Sequence, residues 1–207
     1  MTTQTRNACA PAASRRELDA ALREIEALRT QGSRLLQQVA QLEQEVARAR
    51  RFAHRDGLTG LPDRRLLLDR YNQAVAVAAR QHRQVALLFL DLDGFKSVND
   101  TYGHAAGDRV LQQVAARLRA CIRTSDTACR YGGDEFVILL SQTAPEQAVA
   151  LAERLGRLIA GTTVNPAAPD LKVTVSIGVA GLKPGMGMED LLKAADDAHY
   201  RAKRAGK

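Results

Sequence analysis

The chain has 207 residues, of which 45% are hydrophobic and 26% are charged, and its net charge at neutral pH is +7. This composition is typical of a globular protein with one ordinary domain plus an extension, or with two small domains. The positive charge is spread along the chain without a Lys/Arg tract, and aromatic residues make up only 4%. These features argue against nucleic-acid binding, which favours a concentrated basic surface.

The cysteines and the N-terminal residues indicate the cellular compartment of the protein. Cys9, Cys121 and Cys129 have no metal-ligand spacing, and their odd number argues against a disulfide framework. The N-terminus lacks the basic flank and apolar stretch of a secretory signal. No apolar run approaches the length of a membrane span. We therefore expect a reduced, cytoplasmic protein without membrane insertion.

The N-terminal quarter of the chain predicts a helix that pairs with a second copy. Residues 1–14 are expected to be disordered, and residues 15–53 to form a helical dimerisation segment. Its apolar seam comprises Leu18, Ala21, Ile25, Leu28, Gly32, Leu35, Val39, Leu42, Val46, Ala49 and Ala53. The alternating spacings of three and four predict a homodimeric coiled coil. Two alternatives stay open because of the seam glycine: a helical hairpin broken at residues 31–33, or one amphipathic helix packed on its own domain.

Residues 54–207 change to the pattern of a mixed domain. Pro62 is predicted to lie in the first turn of a helix over residues 63–81. Further helices are predicted over residues 107–122, 143–161 and 188–206, and strands over residues 85–92, 128–131, 136–140 and 171–180. Thr143 is a candidate cap for the helix that follows it.

The element order over residues 85–180 is β-α-β-β-α-β, the split βαβ arrangement. We therefore predict an α+β fold with a central, mostly antiparallel sheet flanked by helices and preceded by the N-terminal coiled-coil helix. Right-handed crossovers make the first two strands parallel, with the third strand antiparallel between them. The turn "GGDE" between the second and third strands then lies beside the C-terminal end of the first strand.

Four acidic residues meet at this predicted edge of the sheet. Asp91 and Asp93 end the first strand on one face, and Asp134 and Glu135 lie in the turn. Carboxylates so close together repel one another unless a cation is bound or some are protonated. Carboxylate and carbonyl oxygens suit Mg²⁺, which keeps open positions for substrate phosphates. The alternative is a surface turn whose acids have no function.

Several segments together resemble the GGDEF family of diguanylate cyclases. They are "DGLTGLPDRR", "FLDLDGFKSVNDTYGHAAGD", "RYGGDEF", "VTVSIGVA" and "ADDAHYRAK", and the resemblance covers residues 54–207. It implies a palm-like, nucleotidyl-cyclase-like βαββαβ domain that joins two GTP molecules into cyclic di-GMP and releases two pyrophosphates. It also implies two subunits that face each other, each with one GTP. The coiled coil would hold them at high effective concentration.

The resemblance assigns roles to the acidic cluster. Asp91, Asp134 and the Leu92 carbonyl match the metal ligands, and Glu135 matches the second acid of the motif, near the metals. The cofactor implied is Mg²⁺, with Mn²⁺ as the substitute ion. Asp134 also matches the residue proposed to help deprotonate the attacking hydroxyl, so Asp134, Glu135 and Asp91 are the catalytic candidates. Asp93 is read as a supporting residue, with direct metal ligation as the alternative.

Further residues match the substrate site of the family. Asn99 and Asp108 match the guanine-binding residues, and a carboxylate suits the N1–H and 2-amino group of guanine. The alternative for Asp108 is an acid that favours the first turn of a helix. Phosphate contacts are expected from Gly94, Phe95, Lys96, Gly132, Gly133, Lys203 and Lys207. At position 207 the family usually has arginine, and lysine loses its bidentate geometry.

The segment "RTSD" lies where the family carries an inhibitory RxxD site for cyclic di-GMP. Arg123 would donate to the O6/N7 edge of guanine, and Asp126 would accept from its Watson–Crick edge. Arg154 matches a secondary arginine that completes this site from a neighbouring domain in some members.

Three other functions compete with a product-inhibited cyclase. The first is a catalytically silent receptor that binds cyclic di-GMP through the same RxxD site, although such receptors usually have degenerate acids. The second is a scaffold that recruits partners through the coiled coil. The third is a cyclase that accepts ATP, against which Asp108 argues.

Overall fold

The computed structural model describes residues 12–160, 163–165 and 168–204. The chain divides between Arg50 and Arg51 into two compact units. Most of the predicted disordered segment lies outside the described residues, and the first helix begins at Ala12, inside that segment. Among the residues described, none of the helices has the length and apolar character that crossing a membrane requires.

The first unit contains a single long helix, α1 (Ala12–Ala53), which continues through Gly32 without a break. The alternative of a hairpin broken at residues 31–33 is therefore wrong. The large seam residues Leu18, Ile25, Leu28, Leu35, Val39, Leu42 and Val46 are between 46% and 60% exposed. A continuous exposed apolar stripe marks a candidate interface. The coiled-coil dimer stays a prediction.

The second unit is a four-stranded antiparallel sheet flanked by helices. Its strands are β1 (Ala86–Asp93), β2 (Thr127–Arg130), β3 (Glu135–Leu140) and β6 (Thr174–Gly181). Its helices are α2 (Arg64–Gln81), α3 (Phe95–Tyr102), α4 (His104–Cys121), α5 (Pro145–Ala160) and α6 (Met188–Arg204). The strand order β2-β3-β1-β6 confirms the predicted split βαβ topology, with β3 antiparallel between β1 and β2.

Each face of the sheet packs a separate hydrophobic core, because alternate side chains of a strand point to opposite faces. Leu88 and Leu90 of β1 join a core covered by α4 and α5. Leu87 and Phe89 join a second core covered by α2 and α6. The strand interior is thus buried on both faces, and only its C-terminal end carries polar side chains.

Three local details differ from the sequence-based expectations. Pro62 precedes α2, whose N-cap is Asp63, so the proline lies outside the helix. Thr143 does not cap α5, since its hydroxyl donates to the Ser141 carbonyl at 2.9 Å. A short antiparallel pair, β4 (Thr163–Asn165) and β5 (Ala168–Lys172), precedes β6 and was not predicted.

Arg130, at the end of β2, connects the loop before α2 to the turn between β2 and β3. Its Nη1 donates to both Asp56 carboxylate oxygens, at 3.2 and 3.1 Å. Its Nε and Nη2 donate to the Gly133 carbonyl, at 3.1 and 2.8 Å. Asp56 also accepts from the amide and hydroxyl of Thr59, at 2.8 and 2.6 Å. The turn is therefore fixed to the body of the domain by one guanidinium group.

These contacts determine the ionisation of Asp56. Burial acts to raise the pKa of its carboxyl group, but hydrogen bonds from Thr59 and the Arg130 charge outweigh it, so the pKa lies below its ordinary value of 3.8. A carboxyl group with a lowered folded-state pKa stabilises the fold above its unfolded value. That contribution is lost as the pH falls through the folded-state pKa.

We predict that Asp56→Asn lowers the free energy of unfolding at pH 7 by about 1–3 kcal/mol, because Arg130 loses its charged partner. The deficit should shrink as the pH is lowered below the ordinary carboxyl pKa of 3.8. Urea unfolding across that pH range measures both effects. Asp69→Asn, at an exposed position on α2, is the matched control. An equal deficit at every pH would contradict the electrostatic explanation.

Candidate active site

The register of β1 and β3 places two carboxylates directly opposite each other. Asp91 pairs with Glu135 in the antiparallel ladder. The Leu92 amide donates to the Asp134 carbonyl at 3.4 Å. The C-terminal end of β1 and the turn after β2 therefore lie side by side, as the predicted topology requires.

The two glycines of the turn have different tasks. A Cβ on Gly132 would collide with the Glu135 carboxylate, which folds back over this position. A Cβ on Gly133 would meet nothing within 4 Å, so this side of the turn is open to a ligand. Neither residue has a positive φ. Lack of space therefore explains the glycine at position 132, whereas neither space nor backbone conformation requires one at position 133.

Burial and the neighbouring carboxylates act in the same direction on the pKa of Glu135. Burial raises the pKa of its carboxyl group, and the negative charges of Asp134 and Asp91 raise it further. Asp196 adds to this effect and His199 opposes it. A divalent cation at the cluster would relieve the repulsion and favour the ionised form.

The Asp93 carboxylate forms hydrogen bonds within the sheet. Its Oδ2 accepts from the Thr174 hydroxyl and its Oδ1 from the Ser176 hydroxyl, both at 2.6 Å. These bonds join the end of β1 to β6. The supporting role read from the sequence stays a prediction.

Lys203 lies over the acidic cluster from the last turn of α6. Its Nζ is 3.5 Å from each carboxylate oxygen of Asp91. The ammonium group therefore supplies a positive charge at the edge of the acidic cluster. Lys207, the other predicted phosphate-binding lysine, lies outside the described residues.

The donor set fits a hard divalent ion that shares its coordination with a substrate. Within the described ranges, no three His, Cys, Asp or Glu side chains converge as a ready-made metal cage. Mg²⁺ typically binds through one or two carboxylates plus waters and substrate phosphates rather than through an all-protein cage. Asp91, Asp134 and the Leu92 carbonyl supply such an incomplete set.

The segment after β1 provides the remaining predicted substrate contacts. Gly94 caps α3 with a φ of 70°, a left-handed conformation that favours glycine. The following amides, of Phe95 and Lys96, belong to the first turn of α3, where helix N–H groups lack intrahelical partners.

The predicted guanine-binding residues come from two adjacent helices. A Cβ on Gly107 of α4 would collide with the Asn99 side chain of α3, so this glycine allows the helices to approach. Asp108 is the next residue, and it is exposed. Because α4 begins at His104, Asp108 lies beyond the first turn. The explanation of Asp108 as a first-turn acid is therefore wrong.

A cavity of about 530 Å³ adjoins the RTSD segment, and we call it the arginine pocket. Its lining includes Arg123 and Asp126, with Arg55, Arg70 and Arg119 as further cations. Asp126 also accepts from the Arg123 amide at 3.1 Å and the Ser141 amide at 3.2 Å, so its position is fixed.

Sequence reasoning identified one of the four pocket arginines, Arg123, and missed Arg55, Arg70 and Arg119. Arg119 lies in the last turn of α4, whereas Arg123 lies beyond that helix. Arg55 and Arg70 come from distant segments. The role of Arg154 at the site of a neighbouring domain stays a prediction. Arg154 donates to the Cys121 carbonyl at 2.8 Å and is not among the residues that line this pocket in the same chain. It therefore covers the C-terminal end of α4.

Known proteins are similar to this chain in both sequence and fold. The profile of the family described as "Diguanylate cyclase, GGDEF domain" matches residues 53–207. The bifunctional diguanylate cyclase/cyclic di-GMP phosphodiesterase MucR of Pseudomonas aeruginosa is 45% identical over 181 residues, covering 84% of this chain. The chain spans only 26% of the length of MucR.

Two solved structures match more than nine-tenths of this chain, an extent that includes most of α1. The diguanylate cyclase SiaD of Pseudomonas aeruginosa, in complex with its activator SiaC, has a TM-score of 0.74 at 34% identity, covering 94% of this chain and 76% of its own. The coiled coil and GGDEF domain of DgcB from Caulobacter crescentus, in complex with c-di-GMP, has a TM-score of 0.72 at 30% identity. That match covers 92% of this chain and 96% of the other.

The family profile covers most of the chain, and its motif residues occupy the sheet edge where the carboxylates meet. This chain belongs to the family of diguanylate cyclases with a GGDEF domain, a family that implies a divalent-metal requirement.

Proposed function

We propose that this chain is an active, Mg²⁺-dependent diguanylate cyclase that joins two GTP molecules into cyclic di-GMP. The observation that carries the proposal is the direct pairing of Asp91 with Glu135, with Asp134 in the adjoining turn. All the acids of the motif are present, which favours catalysis over a receptor with degenerate acids. The names of relatives such as MucR support the same activity.

In the proposed reaction, the 3′-hydroxyl oxygen of one GTP forms a bond to the α-phosphorus of a second GTP on another subunit. The bond from that phosphorus to pyrophosphate breaks, and the hydroxyl proton passes towards Asp134 or to water. The same exchange in the opposite direction closes the ring. Two GTP thus give one cyclic di-GMP and two pyrophosphates.

The acids would hold a divalent ion at the reacting phosphate. Asp91, Asp134 and the Leu92 carbonyl are the proposed ligands, with Glu135 beside them, and Mn²⁺ is the expected substitute for Mg²⁺. When bound, the ion neutralises phosphate charge and favours attack by the hydroxyl. Lys203 would move from Asp91 to the triphosphate. The amides of residues 94–96 and 132–133 and the Lys207 side chain would also bind the triphosphate.

Base selectivity would come from Asn99 and Asp108. A carboxylate accepts hydrogen bonds from the N1–H and 2-amino group of guanine, and adenine has no such pair of donors. A site with this carboxylate rejects ATP because its acceptor oxygens would remain unpaired. The availability of GTP also agrees with the cytoplasmic location expected from the sequence.

Assembly into a homodimer is the second part of the proposal. One subunit supplies one GTP, so a second subunit must bring the other. The exposed seam of α1 is suited to hold two domains together. The DgcB structure, described as a coiled coil with a GGDEF domain, covers nearly the same extent of chain.

Feedback by the product is the third part, and it is assigned to the arginine pocket. Four arginines and one aspartate line this cavity, which suits two phosphates and the edges of guanine bases. The same pocket favours the second candidate function, a silent cyclic di-GMP receptor. The two candidates differ in whether GTP is consumed.

We predict that Asp134→Ala lowers the rate of dinucleotide formation by about 100-fold or more, because it removes a metal ligand and proton acceptor. Purified protein is incubated with GTP and Mg²⁺, and products are identified by mass spectrometry. Asp197→Ala, at an exposed position on α6, is the control. A parent protein that makes no product while binding cyclic di-GMP would establish the receptor instead.

We predict that Leu28→Glu combined with Leu35→Glu converts the dimer to a monomer, because charges at the seam oppose helix pairing. Sedimentation velocity measures the state, and specific activity should fall most in dilute solution. Gln37→Glu with Gln44→Glu adds the same charge on an exposed face outside the seam. Activity that is independent of protein concentration in the seam variant would contradict the dimerising role.

We predict that Arg123→Ala continues to turn over GTP at product concentrations that stop the parent, because the pocket loses a base and phosphate contact. Progress curves with added cyclic di-GMP measure this difference. The control is Arg157→Ala, which also removes one arginine but at an exposed position on α5. Equal inhibition of the variant and the parent would show that this pocket does not mediate feedback inhibition.

A further inference from the structure

A buried histidine lies beneath the acidic cluster and has no assigned role. His199 of α6 is 6% exposed. Its Nδ1 is 3.7 Å from an Asp196 carboxylate oxygen. Its Nε2 is buried and has no hydrogen-bond partner in the part of the chain that the structure describes. A buried polar atom without a partner is rare in native proteins and calls for an explanation.

The packing of α6 against the sheet fixes where this imidazole lies. The His199 ring is 5.8 Å from the Phe89 ring, and Lys203 reaches Asp91. Four residues of helix and two residues of strand each advance by about 6 Å. His199 therefore lies about 6 Å from Lys203 towards the N-terminal end of β1, on the same face of that strand.

Gly178 determines how closely His199 approaches the sheet. Gly178 of β6 pairs with Phe89 of β1. A Cβ on Gly178 would collide with the Ala195 carbonyl and the His199 amide. The helix backbone therefore contacts the sheet here, which brings His199 close to the sheet surface.

The base of the GGDE turn lies next to the same ring cluster. Phe89 makes an edge contact with Tyr131, with ring centroids 6.2 Å apart. The Tyr131 amide donates to the Glu135 carbonyl at 2.9 Å. Glu135 stands opposite Asp91, which is two residues along β1 from Phe89, and Phe89 is the residue whose ring lies beside the His199 imidazole. Alternate side chains of a strand share a face, so Glu135 and His199 lie on the same face of the sheet.

We propose that His199 is a positioning residue for Glu135, and that its Nε2 forms a hydrogen bond with the Glu135 carboxyl group when nucleotide and divalent ion are bound. Asp196 orients the ring from the opposite nitrogen. The bond would give the buried Nε2 a partner and hold Glu135 at the cluster. This inference rests on the proposed cyclase function for its kinetic consequence but not for the bond itself.

The bond is tested without turnover by nitrogen NMR on protein labelled at histidine. Glu135→Gln should shift the His199 Nε2 resonance in the full chain with Mg²⁺ and a non-reactive GTP analogue. Glu153→Gln, at an exposed position on α5, should leave it unchanged. A His199 resonance that does not respond to Glu135→Gln overturns the proposal, whether or not the protein makes cyclic di-GMP.

The kinetic test compares three replacements of the histidine. His199→Leu should lower kcat by about 10-fold or more with little change in KM for GTP, since Glu135 does not bind the base. His199→Gln places an amide near the Nε2 position and should restore much of kcat, whereas His199→Asn reaches only the Nδ1 position and should not. Thermal midpoints identify any loss caused by unfolding. Full kcat in a folded leucine variant, or equal kcat for the glutamine and asparagine variants, overturns the positioning role.

Discussion

The antiparallel register between β1 and β3 is the constraint on which the site depends. Asp91 stands opposite Glu135 only in this register. A shift of one residue would move every side chain of β3 to the other face. The two hydrophobic cores resist such a shift, because Phe136 and Val137 must enter different cores. Burial on both faces therefore fixes the position of the carboxylates at the sheet edge.

That register also determines how the acidic cluster behaves. Burial and neighbouring carboxylates raise the pKa of Glu135, and the Lys203 ammonium group provides a nearby positive charge. The cluster is thus electrostatically incomplete in the protein alone. A divalent ion and a triphosphate would complete it, the ion between the carboxylates and the phosphates near Lys203. The same reasoning explains why no all-protein metal cage is needed.

The turn that carries Asp134 is held by contacts from outside the sheet. Arg130 links the Gly133 carbonyl to Asp56, in the loop before α2. Arg55 and Arg119 of the arginine pocket donate to carbonyl oxygens of the same loop, those of Gly60 and Thr59. The acidic cluster and the arginine pocket therefore share one supporting loop.

Local sequence patterns predicted the elements of the fold because their signals are strong. The apolar run of β1, the two-glycine turn and the helical spacing of α4 each reflect short-range periodicity, and the crossover rule then orders the strands. That order places Asp91 beside the GGDE turn, and the burial of β3 on both faces then sets the Asp91–Glu135 register. Arg55 and Arg70, by contrast, reach the pocket from segments whose packing is set by distant contacts. The burial of His199 likewise depends on Gly178, in a strand that the sequence alone does not place against that turn of α6.

The central claim is that Asp91 and Asp134, at the sheet edge where Asp91 pairs with Glu135, hold a divalent ion against a nucleoside triphosphate. A crystal structure with a non-reactive GTP analogue and Mn²⁺, located by its anomalous signal, tests this claim most directly. The account predicts Mn²⁺ between Asp91, Asp134 and the phosphates, with the Lys203 ammonium group moved from Asp91 to the triphosphate. A bound triphosphate with no ion at these carboxylates would contradict it.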